Sequence, residues 1–139
     1  MAEPVFDKKE VDSGKGMGIL SYIGILALIP YFAEKNNKFV RFHAIQGMNL
    51  MLVLVAYGII YWIISFVVTS IAMSNCVTTY YGYYASSCVG GGIGALIVSS
   101  IFGLIGLGLG IIAIIGIVNA ASGKAKELPL IGKIKIIKK

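Results

Sequence analysis

Three uncharged stretches dominate the chain: Met17 to Ala33, Ala44 to Ser74 and Val89 to Ala121. About 17–25 predominantly apolar residues cross the ~30 Å hydrocarbon core of a bilayer. The pattern therefore predicts an all-α, polytopic membrane protein, a small bundle of three transmembrane helices over residues 17–33, 44–74 and 89–121. The first stretch is just long enough to cross; the other two leave room for tilt or for helix projecting beyond the bilayer. A fourth span would require the last stretch to fold into a hairpin, and it is too short for two full crossings. Residues 1–16 form a polar N-terminal segment, and 122–139 a basic tail.

The lead-in to the first stretch is mixed and slightly acidic, with Glu3, Asp7, Glu10 and Asp12 against Lys8, Lys9 and Lys15. A cleaved signal peptide needs a basic leading region and a small-x-small site, so the stretch reads as a retained helix. Pro30 supplies no backbone donor and frees the carbonyl of Leu26, which kinks or ends that helix.

The last stretch carries a line of small residues: Gly92, Ala95, Ser99, Gly103, Gly106, Gly110 and Ala113. At roughly 100° per residue they fall within an arc of about 80°. In a soluble helix each interior Gly is worth roughly 0.8–1 kcal/mol less than Ala. In a bilayer the same residues let a neighbouring backbone approach closely, and packing holds membrane helices together. The line is therefore predicted to be a helix-packing face.

Charge sets the expected orientation. Lys35, Lys38 and Arg41 lie in the first loop, and Lys124, Lys126, Lys133, Lys135, Lys138 and Lys139 in the tail, whereas the loop from Asn75 to Cys88 has no charge. Positive residues concentrate on cytoplasmic segments. With three spans, the C-terminus is expected in the cytoplasm and the N-terminus outside, across the plasma membrane of a prokaryotic cell. Cys76 and Cys88 bracket a tyrosine-rich outer loop, where a disulfide between them would persist on the oxidising face. Tyr80, Tyr81, Tyr83 and Tyr84 suit the membrane–water interface.

At the cytoplasmic elbow, His43, Gln46 and Asn49 recur every three residues, a short polar stripe within about 120° on a helix. Polar groups entering a membrane helix need partners, so the stripe should meet another helix or water. A single histidine makes neither a metal site nor a triad, and an interfacial hydrogen bond is its expected role.

Apolar residues make up 58% of the chain and charged residues 13%, against about 25% charged in soluble domains. None of the three stretches contains Asp, Glu, Lys or Arg, the groups on which proton relays and ion-coupled transport depend. Phosphate-loop, zinc-helix and serine-elbow motifs do not occur. The chain is expected not to be an enzyme and to need no cofactor or metal.

The segment Lys38 to Gly47 (KFVRFHAIQG), after an apolar stretch ending LIPYFAEK (Leu28 to Lys35), resembles the signature of a family of small bacterial and archaeal membrane proteins of unknown function. That family is distantly similar to the import-channel component of the chloroplast inner envelope. Asn119 to Ile134 (NAASGKAKELPLIGKI) resembles its closing motif, in which the last span exits through a Gly-Lys turn into a Leu-Pro-Leu tail. The resemblance implies a membrane bundle and no established reaction.

The tail alternates isoleucine with lysine, and Lys133, Lys135, Lys138 and Lys139 are placed to meet anionic lipid headgroups at the cytoplasmic face. The lysines stay within reach of a membrane and lack accompanying arginine or aromatic patterning, so lipid rather than nucleic acid is the expected partner. Two functions from different classes fit this pattern. One is a helix-packing subunit that binds itself or a membrane protein partner. The other is a pore or translocation component with His43, Gln46 and Asn49 at its mouth. The apolar midplane favours the first.

Overall fold

The computed structural model describes residues 5–74, 77–81, 83–87, 89–129 and 131. Helix α1 (Lys8–Leu20) is followed by a 3-10 turn (Gly24–Ala27), α2 (Leu28–Ala33), α3 (Lys38–Ser74), strands β1 (Val77–Tyr81) and β2 (Tyr83–Ser87), and α4 (Val89–Ala121). The strands pair antiparallel, Val77 opposite Ser87 and Tyr81 opposite Tyr83, forming a short connection in an otherwise all-α membrane protein. Cys76 and Cys88, with the disulfide expected between them, lie outside the described residues.

Among the described residues, α3 and α4 are long and apolar enough to cross a membrane. Their 37 and 33 residues correspond to about 55 and 50 Å of helix, well beyond the hydrocarbon thickness. Bounds of α4 coincide with the uncharged stretch, whereas α3 starts six residues before Ala44, at Lys38. Asn37 explains that start: its Oδ1 accepts the Val40 N–H at 3.1 Å, capping an orphan donor of the first turn.

The stretch Met17 to Ala33 is not one helix. Helix α1 ends at Leu20, the chain turns through Ser21–Ile23, and Gly24 takes φ +50°, a left-handed conformation that glycine adopts at little steric cost. The remainder, Gly24–Ala33, is apolar but short, below the length of a crossing. Pro30 sits in the first turn of α2, where its missing N–H has no intrahelical partner to lose. The break therefore falls ahead of the proline rather than at it.

Two compact units are distinguishable, one built from Met1–Val55 with Gly108–Lys139 and the other from Ala56–Leu107. The first contains every charged residue of the chain, and the second contains none. In the first, Tyr22, Leu50, Ala120, Leu128 and Ile131 form a buried core, with Ile19, Val53, Leu54, Ile112 and Ile117 packed on it. Helix α1 joins this unit through glycines. A methyl on Gly18 would lie 3.3 Å from the Ala120 Cβ, and one on Gly14 2.7 Å from Val40 Cγ2. Three glycines give α1 poor intrinsic helicity, so close packing and the Asp7 cap, which accepts the Lys9 N–H at 3.5 Å, sustain it.

Helix α4 ends in a Schellman turn. Gly123 has φ +68°, its N–H reaches the Ala120 carbonyl at 3.1 Å, and the Lys124 N–H reaches Asn119 at 2.9 Å. This satisfies carbonyls that a helix end leaves open and turns the tail back onto the bundle, where Leu128 and Ile131 are buried. The first part of the tail is thus core, not headgroup contact; Lys133, Lys135, Lys138 and Lys139 lie outside the described residues.

In the second unit, the Tyr57 hydroxyl donates to the Phe102 carbonyl, and the Tyr57 and Tyr61 rings flank Phe102 at 5.6 and 5.1 Å. Outward-facing side chains are large and apolar: Trp62 is 68% exposed, Phe66 63% and Leu104 75%. A water-facing surface of this kind would aggregate; it suits hydrocarbon.

Candidate functional site: a buried polar cluster and a divided small-residue line

His43, Gln46 and Asn49 occupy the first turns of α3 and are buried, His43 completely. The chain brings their partners from elsewhere. Tyr22, delivered by the break after α1, places its hydroxyl 2.8 Å from His43 Nδ1. Gln46 Oε1 accepts the Leu128 backbone N–H at 3.1 Å, pinning the returning tail. Rings of Phe39, Phe42 and Tyr22 surround the imidazole edge-on, with centroids 4.7, 5.4 and 5.7 Å away.

Burial pushes the Tyr22 phenol above its ordinary range, because an apolar setting disfavours the phenolate. The phenol keeps its proton and can donate it to Nδ1. That assignment leaves the proton of a neutral imidazole on Nε2, which has no partner within hydrogen-bond geometry. The reverse tautomer would orphan both Nε2 and the phenolic hydrogen. Through His43 and Gln46 the stripe is clamped to the turn after α1 and to the tail.

Sequence reasoning found the stripe and missed what it meets. Gly47 lies against the Ser21 carbonyl, and a methyl on Gly116 would fall 2.6 Å from the Tyr22 ring. These are the closest backbone approaches around the cluster, and neither belongs to the small-residue line identified from spacing. The only local hint was Gly47 itself, adjoining Gln46 in a polar elbow.

The small-residue line is divided. Ala95, Gly106 and Ala113 are half-buried, and a methyl on Gly106 would approach the Tyr57 hydroxyl at 3.1 Å. Ala95 and Ser99 share a small cleft with Tyr61, Ser65 and Thr69 of α3. Gly92, Ser99, Gly103 and Gly110 are exposed, and a methyl on any of the three glycines would meet open space. These four span only about 40° of helix. The face of α4 used within the chain, through Val98, Phe102, Leu109, Gly116 and Ala120, lies about 100° away. The line runs along the border between the covered and uncovered sides of the helix.

Among the described residues, no group of three or more His, Cys, Asp or Glu side chains is placed to hold a metal ion.

Two long apolar helices, an apolar outer surface and charge collected in one unit define a small all-α membrane protein. The chain belongs to the magnetosome magnetite crystal formation protein family, whose sequence profile matches residues 14–137. No curated protein and no solved structure matches it. The match covers both motifs that carried the resemblance noted from sequence, so membership of a small membrane-protein family stands at those residues. The similarity to the chloroplast import component does not appear in these comparisons. The protein is accordingly a bacterial membrane protein.

Proposed function

We propose that the protein is a helix-packing subunit of a membrane assembly, with no reaction of its own, that docks to a second copy or another membrane protein through the outer line of α4. The observation carrying this reading is the line of Gly92, Gly103 and Gly110, within about 20° of one another on α4, exposed and with open space where a methyl would be. Interior glycines weaken a helix unless something exploits the missing side chain. We take the magnetosome membrane as the place of assembly, a reading the family description supports.

A revised orientation belongs to the same reading. Phe6 packs at 6.0 and 6.1 Å from Phe39 and Phe42, and a methyl on Gly123 would lie 2.7 Å from Val11. The N-terminal segment thus shares one end with the first loop and the exit of α4. We place all three on the cytoplasmic side, following the lysines, with two crossings by α3 and α4. This replaces the expectation of an N-terminus outside.

Oligomer size in mild detergent tests the packing role. A Cβ at Gly103 or Gly110 meets nothing within 4 Å, so Gly103→Leu and Gly110→Leu should dissociate the assembly while leaving the fold intact. Gly58→Leu, exposed on α3 and equally open, should leave size unchanged. A wild-type monomer with no co-purifying partner, or size unaffected by either α4 variant, would overturn the reading.

A further inference from the structure

A cleft of about 250 Å³ is lined by Tyr31, Phe32, Lys35 and Arg41. It combines two cations and two aromatic rings, and no carboxylate lines it. The nearest acidic side chain in sequence, Glu34, lines a separate cleft with Asp7, Glu10 and Asn37. Among the described residues Lys15 pairs with Asp12, and no ion pair is seen at Lys35 or Arg41. Two like charges facing one cleft repel each other and favour an anion between them.

The setting of the cleft indicates which anion. Arg41 lies in the first turn of α3, where the polar end of the chain meets an apolar helix that crosses the membrane. On the other side, Phe32 is 63% exposed and leads into Ile29, Leu26 and Ile25, all exposed. The cleft is therefore cationic at its head and apolar along its rim. Arg presents a planar fork matched to phosphate oxygens, and Lys adds a mobile point charge. Tyr31 suits headgroup level, where an amphipathic ring is favoured, and Phe32 adds apolar surface for the acyl chain. A free phosphate ion would use the cations alone; an anionic phospholipid would use cations and rim together.

We propose that Lys35 and Arg41, with Tyr31 and Phe32, bind the headgroup phosphodiester of an anionic phospholipid. The site is distinct from the tail lysines, and it depends only on the membrane placement of α3, not on assembly through α4.

Native mass spectrometry of the full chain released from nanodiscs tests it. Phosphatidylglycerol should be retained over phosphatidylcholine, and the Lys35→Ala/Arg41→Ala variant should bind it roughly thirty-fold more weakly, the effect of removing two cations from a membrane surface. A Lys8→Gln/Lys9→Gln variant lowers net charge equally from the exposed face of α1 and should retain lipid as the wild type does. Exchanging the cations, Lys35→Arg/Arg41→Lys, should restore most of the binding. Equal loss in both neutralised pairs would mean diffuse surface attraction and overturn the site. Competition by inorganic phosphate at matching concentration, with the same dependence on Lys35 and Arg41, would assign the cleft to free phosphate and overturn the lipid.

Discussion

A methyl group is the smallest measure of how closely segments of this protein approach, and the glycines divide sharply under it. At Gly47 an added methyl meets the Ser21 carbonyl, and at Gly116 it meets the Tyr22 ring; backbone in the first case and a hydrogen-bonded ring in the second leave little freedom to yield. Gly47→Ala and Gly116→Ala should each lower stability by about 1–3 kcal/mol, the usual range for overpacking. Gly108→Ala meets nothing within 4 Å and should be neutral or stabilising by up to about 1 kcal/mol through better helix propensity. Thermal unfolding in one detergent compares all three, and equal melting temperatures would contradict the assignment. Spacing in the sequence could not rank these positions. Regular intervals of three and four select a stripe along one helix, whereas the need for glycine at 47 and 116 comes from Ser21 and Tyr22, far away in the chain.

At the level of elements, unbroken apolar runs made α3 and α4 legible, because hydropathy over some thirty residues leaves no other use for them. The break in Met17 to Ala33 was not legible by that measure: Ser21, Tyr22, Ile23 and Gly24 contain no charge, so the turn hides inside an apolar average. Its cause is the position of Tyr22, which leaves the line of α1 to reach His43. The entry to α3 depends on a single side chain. Asn37 caps Val40 through Oδ1 and donates from Nδ2 to the Glu10 carbonyl at 2.8 Å, joining α1 to the start of α3. Asn37→Ala should remove both bonds and lower stability by about 1–3 kcal/mol. Asn37→Asp should keep the cap, lose the bridge and fall between wild type and alanine in chemical denaturation. An aspartate variant as damaging as alanine would show that the cap contributes nothing.

For the whole molecule, the distribution of charge and the packing within the charged unit are what support the proposed two-crossing reading. Ala56–Leu107 is free of charge, while the unit containing both ends of the chain carries all of it. Counting apolar stretches gives an odd number of crossings and so separates the termini. The packing of Phe6, Val11 and Gly18 against Phe39, Gly123 and Ala120 brings the N-terminal helix to the exit of α4, which two crossings accommodate. The expectation that the basic elbow and basic tail share a side needs only the parity of the two long helices between them, and the two-crossing reading proposed above keeps it. The N-terminal segment is where the proposed reading and the three-span expectation part, because its mixed charge gives the positive-inside rule little to act on.

Sidedness of the two ends tests this architecture most directly. Single cysteines introduced as Lys8→Cys and Lys126→Cys, with Cys76 and Cys88 replaced by serine, can be challenged with a membrane-impermeant thiol reagent in vesicles of each orientation. The account predicts that both positions label in the same vesicles and both are protected in the opposite ones. Labelling of Lys8→Cys and Lys126→Cys in opposite orientations would require a third crossing between α1 and α3 and would contradict it.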